Sequence, residues 1–358
     1  MSTGKINFNA GPAALPPEVL QEAAAAVREY KNTGLSILEL PHRGAEFLAI
    51  IAETKLLVKE LCNLNDDYEV VWVHGGGRMV FAMLAMNYLT HNDTAGYIDS
   101  GHWAAEAIDY GRHYGQVSVL GSSRTTNYNQ LPKLDLSADN NLKYLHITTN
   151  NTIYGTQYHH VPAFKSPLVA DMSSDIFSCQ RDYTQYDMFY AAAQKNLGTP
   201  GVALAVIKKD FLEKSFDNLP PILSLKAYVK ENSVLNTANV SGIYTALLML
   251  RWIKGKGIAA IEKDNQLKAT LLYDALDNSK IFIPHVVVKE HRSDMNVCFT
   301  ALDKNIEQAL LTLCAENDII GISGHRSVGG FRVSLYNAIT VESVKKLVAI
   351  MTELEAGV

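Results

Sequence analysis

Asp187–Ala203 reads DMFYAAAQKNLGTPGVA. Met188–Ala191 is a short apolar run of buried-strand type, followed by Gln194-Lys195-Asn196 and a loop broken by Gly198, Pro200 and Gly201. A second apolar run, Val202–Ile207, comes next. Lys195 is therefore a lone cation between two segments that both read as core. Desolvation there lowers the pKa of an amine and leaves it neutral, able to attack a carbonyl. The plainer reading is a turn lysine whose stem packs and whose ammonium reaches water.

The surroundings of this stretch alternate short apolar strands with helices. Strands are expected at Glu69–Val73, Ala95–Asp99, Gln116–Leu120, Lys143–Thr148 and Pro167–Ala170, the last leading into Asp171. Helices are expected at Met79–Leu89 and Trp103–Tyr114, with a turn at His74-Gly75-Gly76-Gly77-Arg78 between the first strand and helix. That order predicts an α/β fold with a mostly parallel sheet covered by helices on both faces, and ligands at the carboxyl ends of its strands. Helices are also expected from Pro17 to about Tyr30 and over Ala45–Leu64. Another lies within Ser233–Lys254, is broken by Gly255-Lys256-Gly257, and resumes over Ile258–Ala275. Further strands are expected at Ile281–Val288, Met295–Thr300 and Phe331–Tyr336. The expected division is an N-terminal segment 1–16, a large domain 17–264 and a smaller α+β domain 265–358.

Composition narrows the classes. The 358 residues are 47% hydrophobic and 19% charged with a formal net charge of -5, which suits a large packed core and offers no general nucleic-acid surface. No apolar run approaches the length of a membrane span or a signal-peptide core, so a cytoplasmic protein is expected. Cys62, Cys179, Cys298 and Cys314 are scattered without a CxxC, and the adjacent His159-His160 would point opposite ways on a strand, so no metal site is expected.

Three features carry chemistry. Gly75-Gly76-Gly77 between a strand and a helix offers backbone N–H groups to an anion such as a phosphate; the alternative is a tight turn. It is neither GxGxxG nor a P-loop. Asp171, ending the apolar SPLVAD, needs a cation or donors, and a protonated pyridine nitrogen would serve. With Lys195 one strand and its connection later, the pair fits a pyridoxal phosphate enzyme. Trp103 is placed to stack on a ring, or to be an ordinary core aromatic.

The segments FNAGPAALP, HRG, HGGGR, GHWA, NNTIYG, ADMSS, AAAQKN and GHRSVGGFRVSLYNA span essentially the whole chain in order. With them the chain resembles the phosphoserine aminotransferases of the class-V group of PLP-dependent fold-type I enzymes. The resemblance implies a mostly parallel seven-stranded sheet, and a homodimer with shared sites acting on glutamate and phosphohydroxypyruvate. Lys195 would carry the cofactor as a Schiff base and move the proton, and Asp171 would keep the ring nitrogen protonated. Trp103 would stack on the ring, Thr152 would bond its phenolic oxygen, and Gly77, Arg78 and Gln194 would bind its phosphate. Asn236 and Thr237 would reach that phosphate from the partner subunit. Arg326 would take the substrate α-carboxylate; His42, Arg43, His325 and Arg332 would take the second anionic group, His42 and Arg43 being the partner's contribution.

Asn9 and Pro41 stand where that family commonly has serine, Met79-Val80 where it often has Gly-Gln, and NTAN where it has NTPP. Other readings stand beside the first: an alanine–glyoxylate or serine–pyruvate type of class-V transaminase, a cysteine desulfurase, and a non-catalytic PLP-binding protein. Use of the phosphorylated four-carbon 2-oxo acid of pyridoxine biosynthesis is left open.

Overall fold

A computed structural model describes residues 4–357. In chain order the first half comprises β1 (Ile6–Asn7), α1 (Pro17–Arg28), α2 (Ala45–Leu61), β2 (Tyr68–His74), α3 (Gly77–Tyr88), β3 (Thr94–Asp99), α4 (His102–Arg112), β4 (Gln116–Ser122), β5 (Leu145–Thr148) and β6 (Leu168–Asp171). The second half comprises β7 (Met188–Ala192), β8 (Val202–Lys208), α5 (Lys209–Leu212), α6 (Leu225–Lys230), α7 (Val240–Lys256), α8 (Ile258–Asn278), β9 (Phe282–Pro284), β10 (Asn296–Ala301), α9 (Lys304–Glu316), β11 (Ile319–Ile320), β12 (Phe331–Ser334) and α10 (Val341–Ala356).

The main sheet has seven strands in the order β2-β8-β7-β6-β5-β3-β4. It is parallel apart from β8, which runs antiparallel to both neighbours. Two apolar clusters flank it: Val70 and Trp72 of β2 join α1, α2 and α7 on one face, and Val71 and Val73 join α3, α4 and α6 on the other. That alternation is the two-residue period of a strand buried on both sides. The expected α/β architecture is the one found.

A three-stranded antiparallel sheet, β12-β10-β9, packs with α8, α9 and α10 around a third cluster that also takes in Phe8. β1 pairs in parallel with β11, Ile6 opposite Ile319, so the N-terminal segment is tied to the far end of the chain. The expected boundary at 264/265 falls within α8, which is continuous. Among the described residues no helix is long and apolar enough to cross a membrane.

Several expected bounds shift for local reasons. α3 begins at Gly77 instead of Met79, so the last glycine of the turn is already its first residue and Gly76 its N-cap. α7 runs through Lys256 and stops at Gly257, where φ is +81°, a conformation natural to glycine. The strand expected at Ile281–Val288 pairs over Phe282–Pro284 with one further bond, His285 N to Cys298 O at 2.8 Å, before Val287 N turns away to Asn129 O at 3.1 Å.

Candidate active site

β6 and β7 run parallel, with Asp171 beside Tyr190, so Asp171 and the loop after Ala192 leave the sheet side by side at its carboxyl edge. That loop turns back into β8 through Gly198 (φ +144°) and Gly201 (φ +102°). A Cβ on Gly198 would lie 3.3 Å from the backbone nitrogen of Ala246 on α7, so the loop is pressed against that helix.

Lys195 sits in the loop, half-buried, and its Nζ donates to Thr152 Oγ1 at 2.7 Å. Burial pushes its amine down to about 8; the charge of Asp171 opposes this, and that of Arg332 pushes further down. Asp171 is buried, and its Oδ1 accepts from Ser173 N at 2.9 Å. Burial raises its carboxyl pKa, against the pull of Lys195 and Ser173. Among the described residues no side chain forms an ion pair with it. Beneath lies Asp175, which accepts from Thr149 Oγ1 at 2.5 Å and pairs with Arg181 at 2.7 Å.

A cavity of about 260 Å³ opens over this edge, lined by Gly76, Gly77, Arg78, Trp103, Asp171 and Lys195 together with Phe81, Ser173, Ala192 and Gln194. No side chain caps the start of α3, so its first N–H groups are left to whatever fills the cavity. The Arg78 guanidinium is occupied elsewhere: it pairs with Glu106 and lies 5.0 Å from the Trp103 ring centroid. The N-terminal segment closes one side, with Ala13 N donating to Gln194 O at 2.9 Å.

The structure does not bring every expected residue to that cavity. Asn236 and Thr237 are exposed, and neither they nor His42 and Arg43 line it. Arg43 Nη2 donates to Val234 O at 3.5 Å, which places the two groups near one another on the surface. His325 and Arg326 occupy the loop between β11 and β12, where Gly324 lies so close to Gly329 that a Cβ would meet its carbonyl oxygen. Arg326 is exposed, whereas Arg332, on β12, is half-buried and near enough for Lys195 to feel its charge.

A family model described as aminotransferase class-V matches residues 6–347. The chain belongs to the class-V aminotransferase family. A phosphoserine aminotransferase of Parabacteroides distasonis is 45% identical over 354 residues, covering 98% of this chain and 99% of that one. One from Bacillus subtilis is 41% identical over 350 residues, 98% of each. The solved structure of a phosphoserine aminotransferase from Bacillus circulans subsp. alkalophilus aligns with a TM-score of 0.94 at 39% identity, over 99% of both chains.

In this class-V aminotransferase the site also contains residues that sequence reading passed over. Ser173 holds Asp171 through its N–H while its Oγ accepts from Ala192 N at 3.0 Å, locking β6 to β7 at the cavity floor. The His102 ring lies 5.8 Å from that of His325 and 3.7 Å from the Glu106 carboxylate. The His325 pKa is lowered by burial first, then by Arg332, His102 and Arg326. The GHWA segment that drew notice to Trp103 contains His102, but only the fold sets it against a loop from the other end of the chain.

Proposed function

We propose that this chain is a phosphoserine transaminase, exchanging the amino group between L-glutamate and 3-phosphohydroxypyruvate to give O-phospho-L-serine and 2-oxoglutarate. The observation that carries the reading is Arg332 close enough to Lys195 for its charge to be felt, with further cations that have no carboxylate partner. Among the described residues Arg43, Arg326 and Arg332 make no ion pair with a carboxylate. A substrate with a carboxylate at one end and a phosphate at the other uses such cations; an uncharged side chain would leave them without partners. Cys298 and Cys314 are buried, with thiols pushed up to about 12 and about 11, which argues against a desulfurase needing a thiolate.

The cofactor of the family is pyridoxal 5′-phosphate, and the cavity suits it. The uncapped start of α3 fits a phosphate, the unpaired buried carboxylate of Asp171 fits a ring cation, and Lys195 offers an amine of lowered pKa. When bound, it supplies the electron sink that lets a substrate carbon lose and regain a proton. Gly77 and Arg78, by backbone, and Gln194 would hold its phosphate, joined by Asn236 and Thr237 of a second copy. Trp103 would cover the ring and Thr152 would bond its phenolic oxygen. Asp171 would keep the ring nitrogen protonated, and Lys195 would anchor the cofactor and carry the substrate proton on Nζ.

The two arginines near the C-terminus exchange the roles expected from sequence. An α-carboxylate is attached to the reacting carbon, so its cation must stand near Lys195. Arg332 meets that condition and the exposed Arg326 does not. Arg332 therefore takes the α-carboxylate of both substrates, and Arg326 joins His325, His42 and Arg43 at the distal anion. In an assay of amino transfer from glutamate to 3-phosphohydroxypyruvate, Arg332→Ala is expected to raise KM for both substrates at least about tenfold. Arg326→Ala is expected to raise it more for the phosphorylated substrate, because phosphate offers more charge and more acceptor oxygens. Equal effects of Arg326→Ala on both substrates would reject this division. Absence of transfer by the unmodified protein would reject the function; running the phosphorylated four-carbon 2-oxo acid in parallel defines the range of acceptors.

A homodimer completes the site in this reading, since His42, Arg43, Asn236 and Thr237 stand off the cavity of their own chain. Leu35, Leu38 and Leu48, on either side of His42 and Arg43 in the sequence, are exposed in the single protomer, as a surface covered by a second copy would be. Mixing Arg43→Ala with Lys195→Ala protein leaves each mixed dimer one site with both residues. Random exchange is then expected to restore about a quarter of normal activity, half the dimers being mixed and half their sites intact. No recovery after verified exchange would place Arg43 in its own chain's site.

A further inference from the structure

The inward face of α8 presents Ile261, Asn265, Lys268, Ala269 and Leu272. This is the spacing of a core stripe, with Asn265 and Lys268 at positions where such a stripe carries apolar side chains. Lys268 is 0% exposed, and among the described residues no carboxylate pairs with it. Its Nζ instead donates to three backbone carbonyls: Leu335 at 2.7 Å, Tyr336 at 2.9 Å and Ile339 at 3.0 Å. Three donated bonds are what the charged amine offers, so these carbonyls favour the ammonium against burial, which pushes it down to about 7. An apolar side chain would pack the stripe without the desolvation of a buried amine, so packing gives no reason for a lysine here.

The segment it grips gives one. Residues 335–339 follow directly on β12, which carries Arg332, and they touch the loop that carries Lys195. Asn337 N donates to Asn196 Oδ1 at 3.1 Å, and Asn196 Nδ2 donates to Ser174 O at 3.1 Å. Asn265, one turn before Lys268, donates to Asn337 Oδ1 at 2.9 Å, while Asn337 Nδ2 donates to Phe177 O at 3.1 Å. Asn196, Asn265 and Asn337 are each at most 2% exposed, so water does not compete for these bonds.

We propose that Lys268 is a positioning residue for amino transfer: by holding segment 335–339 against Asn196 it fixes the distance between Arg332 and Lys195. The inference rests on the roles given above to those two residues. Arg332 stands on the small antiparallel sheet and Lys195 on a loop of the large one, so their separation depends on how the two sheets are joined. Misplacement of reacting groups by about 1 Å costs on the order of 100-fold in rate.

The test uses Lys268→Met, Asn196→Ala and the double variant, with two readouts. In cofactor-free protein, acylation of Lys195 by an amine reagent is followed against pH by peptide mass spectrometry. The unmodified chain is expected to show a midpoint of about 8. Lys268→Met is expected to raise it by about one unit, as water reaches the amine and the repulsion from Arg332 weakens. In the holoenzyme, kcat/KM is expected to fall roughly 10- to 100-fold. Asn196→Ala is expected to act the same way, and the double variant to be no worse than the worse single one. A Lys268→Met protein with a lower Tm but an unchanged Lys195 midpoint and unchanged kcat/KM overturns the proposal, as does full additivity in the double variant. If Lys268→Met does not fold, Asn196→Ala, which leaves Lys268 in place, decides: an unaltered midpoint and rate reject the tether. A chain that transfers no amino group but still shows the midpoint shift rejects the transaminase reading and keeps the tether.

Discussion

Lys195→Ala is expected to lower turnover by about 10⁴-fold, the upper range for loss of a positioned acid–base group, while the cofactor-free protein stays folded. The side chain makes one hydrogen bond, to Thr152, and lies at a cavity wall, so little packing goes with it. Partial recovery on adding a small primary amine would show that the missing function is proton carriage. Normal turnover without an added amine would remove Lys195 from the mechanism. Stability moves the other way. The folded-state pKa of about 8 lies below the unfolded value of 10.5, so the folded chain binds fewer protons here across that window. The charged lysine thus costs stability below about pH 8, and the cost fades as pH rises toward 10.5. Lys195→Met in the cofactor-free protein is expected to melt higher than the unmodified chain at pH 7, with the gap narrowing by pH 10.

Asp171→Asn is expected to lower turnover at least about 100-fold, the scale on which one preorganised electrostatic group acts. Asparagine keeps the shape and the acceptor for Ser173 N but cannot hold a proton on a ring nitrogen by charge. The variant also carries a prediction that needs no cofactor. Asp171 is the group that most raises the Lys195 pKa against burial, so its loss is expected to move the Lys195 midpoint below about 8. A near-normal rate would mean that another group faces the ring nitrogen; an unmoved midpoint would mean that Asp171 and Lys195 are farther apart than the cavity places them.

Much of the site was legible because its parts sit at strand ends that the apolar pattern marks. Asp171 closes SPLVAD, Lys195 follows YAAA within a loop, and Gly75–Gly77 separates a short apolar run from a helical one. In a parallel sheet such ends converge whatever the details of packing. What the pattern hides is contact between distant segments. His102 against His325, and Asp175 with Arg181 beneath Asp171, involve residues whose own neighbours announce nothing. The exchange of roles proposed for Arg326 and Arg332 has the same origin: both follow a glycine-rich run, and only their exposure separates them. Lys268 left a trace, a charge on the apolar stripe of α8, but reading it required knowing that segment 335–339 lay opposite.

The pairing of β1 with β11 bears on how the chain is made. Ile6 and Asn7 leave the ribosome long before their partners Ile319 and Ile320, with both large-sheet edges made in between. At about 5–20 residues per second the first strand waits roughly half a minute for its mate. Over that time the large sheet can close without it, while the cluster that Phe8 enters is still incomplete. The segment that carries β1 thus settles only after β11 has been made, so the wall it forms beside Lys195 is finished later than the strand ends that hold Asp171 and Lys195.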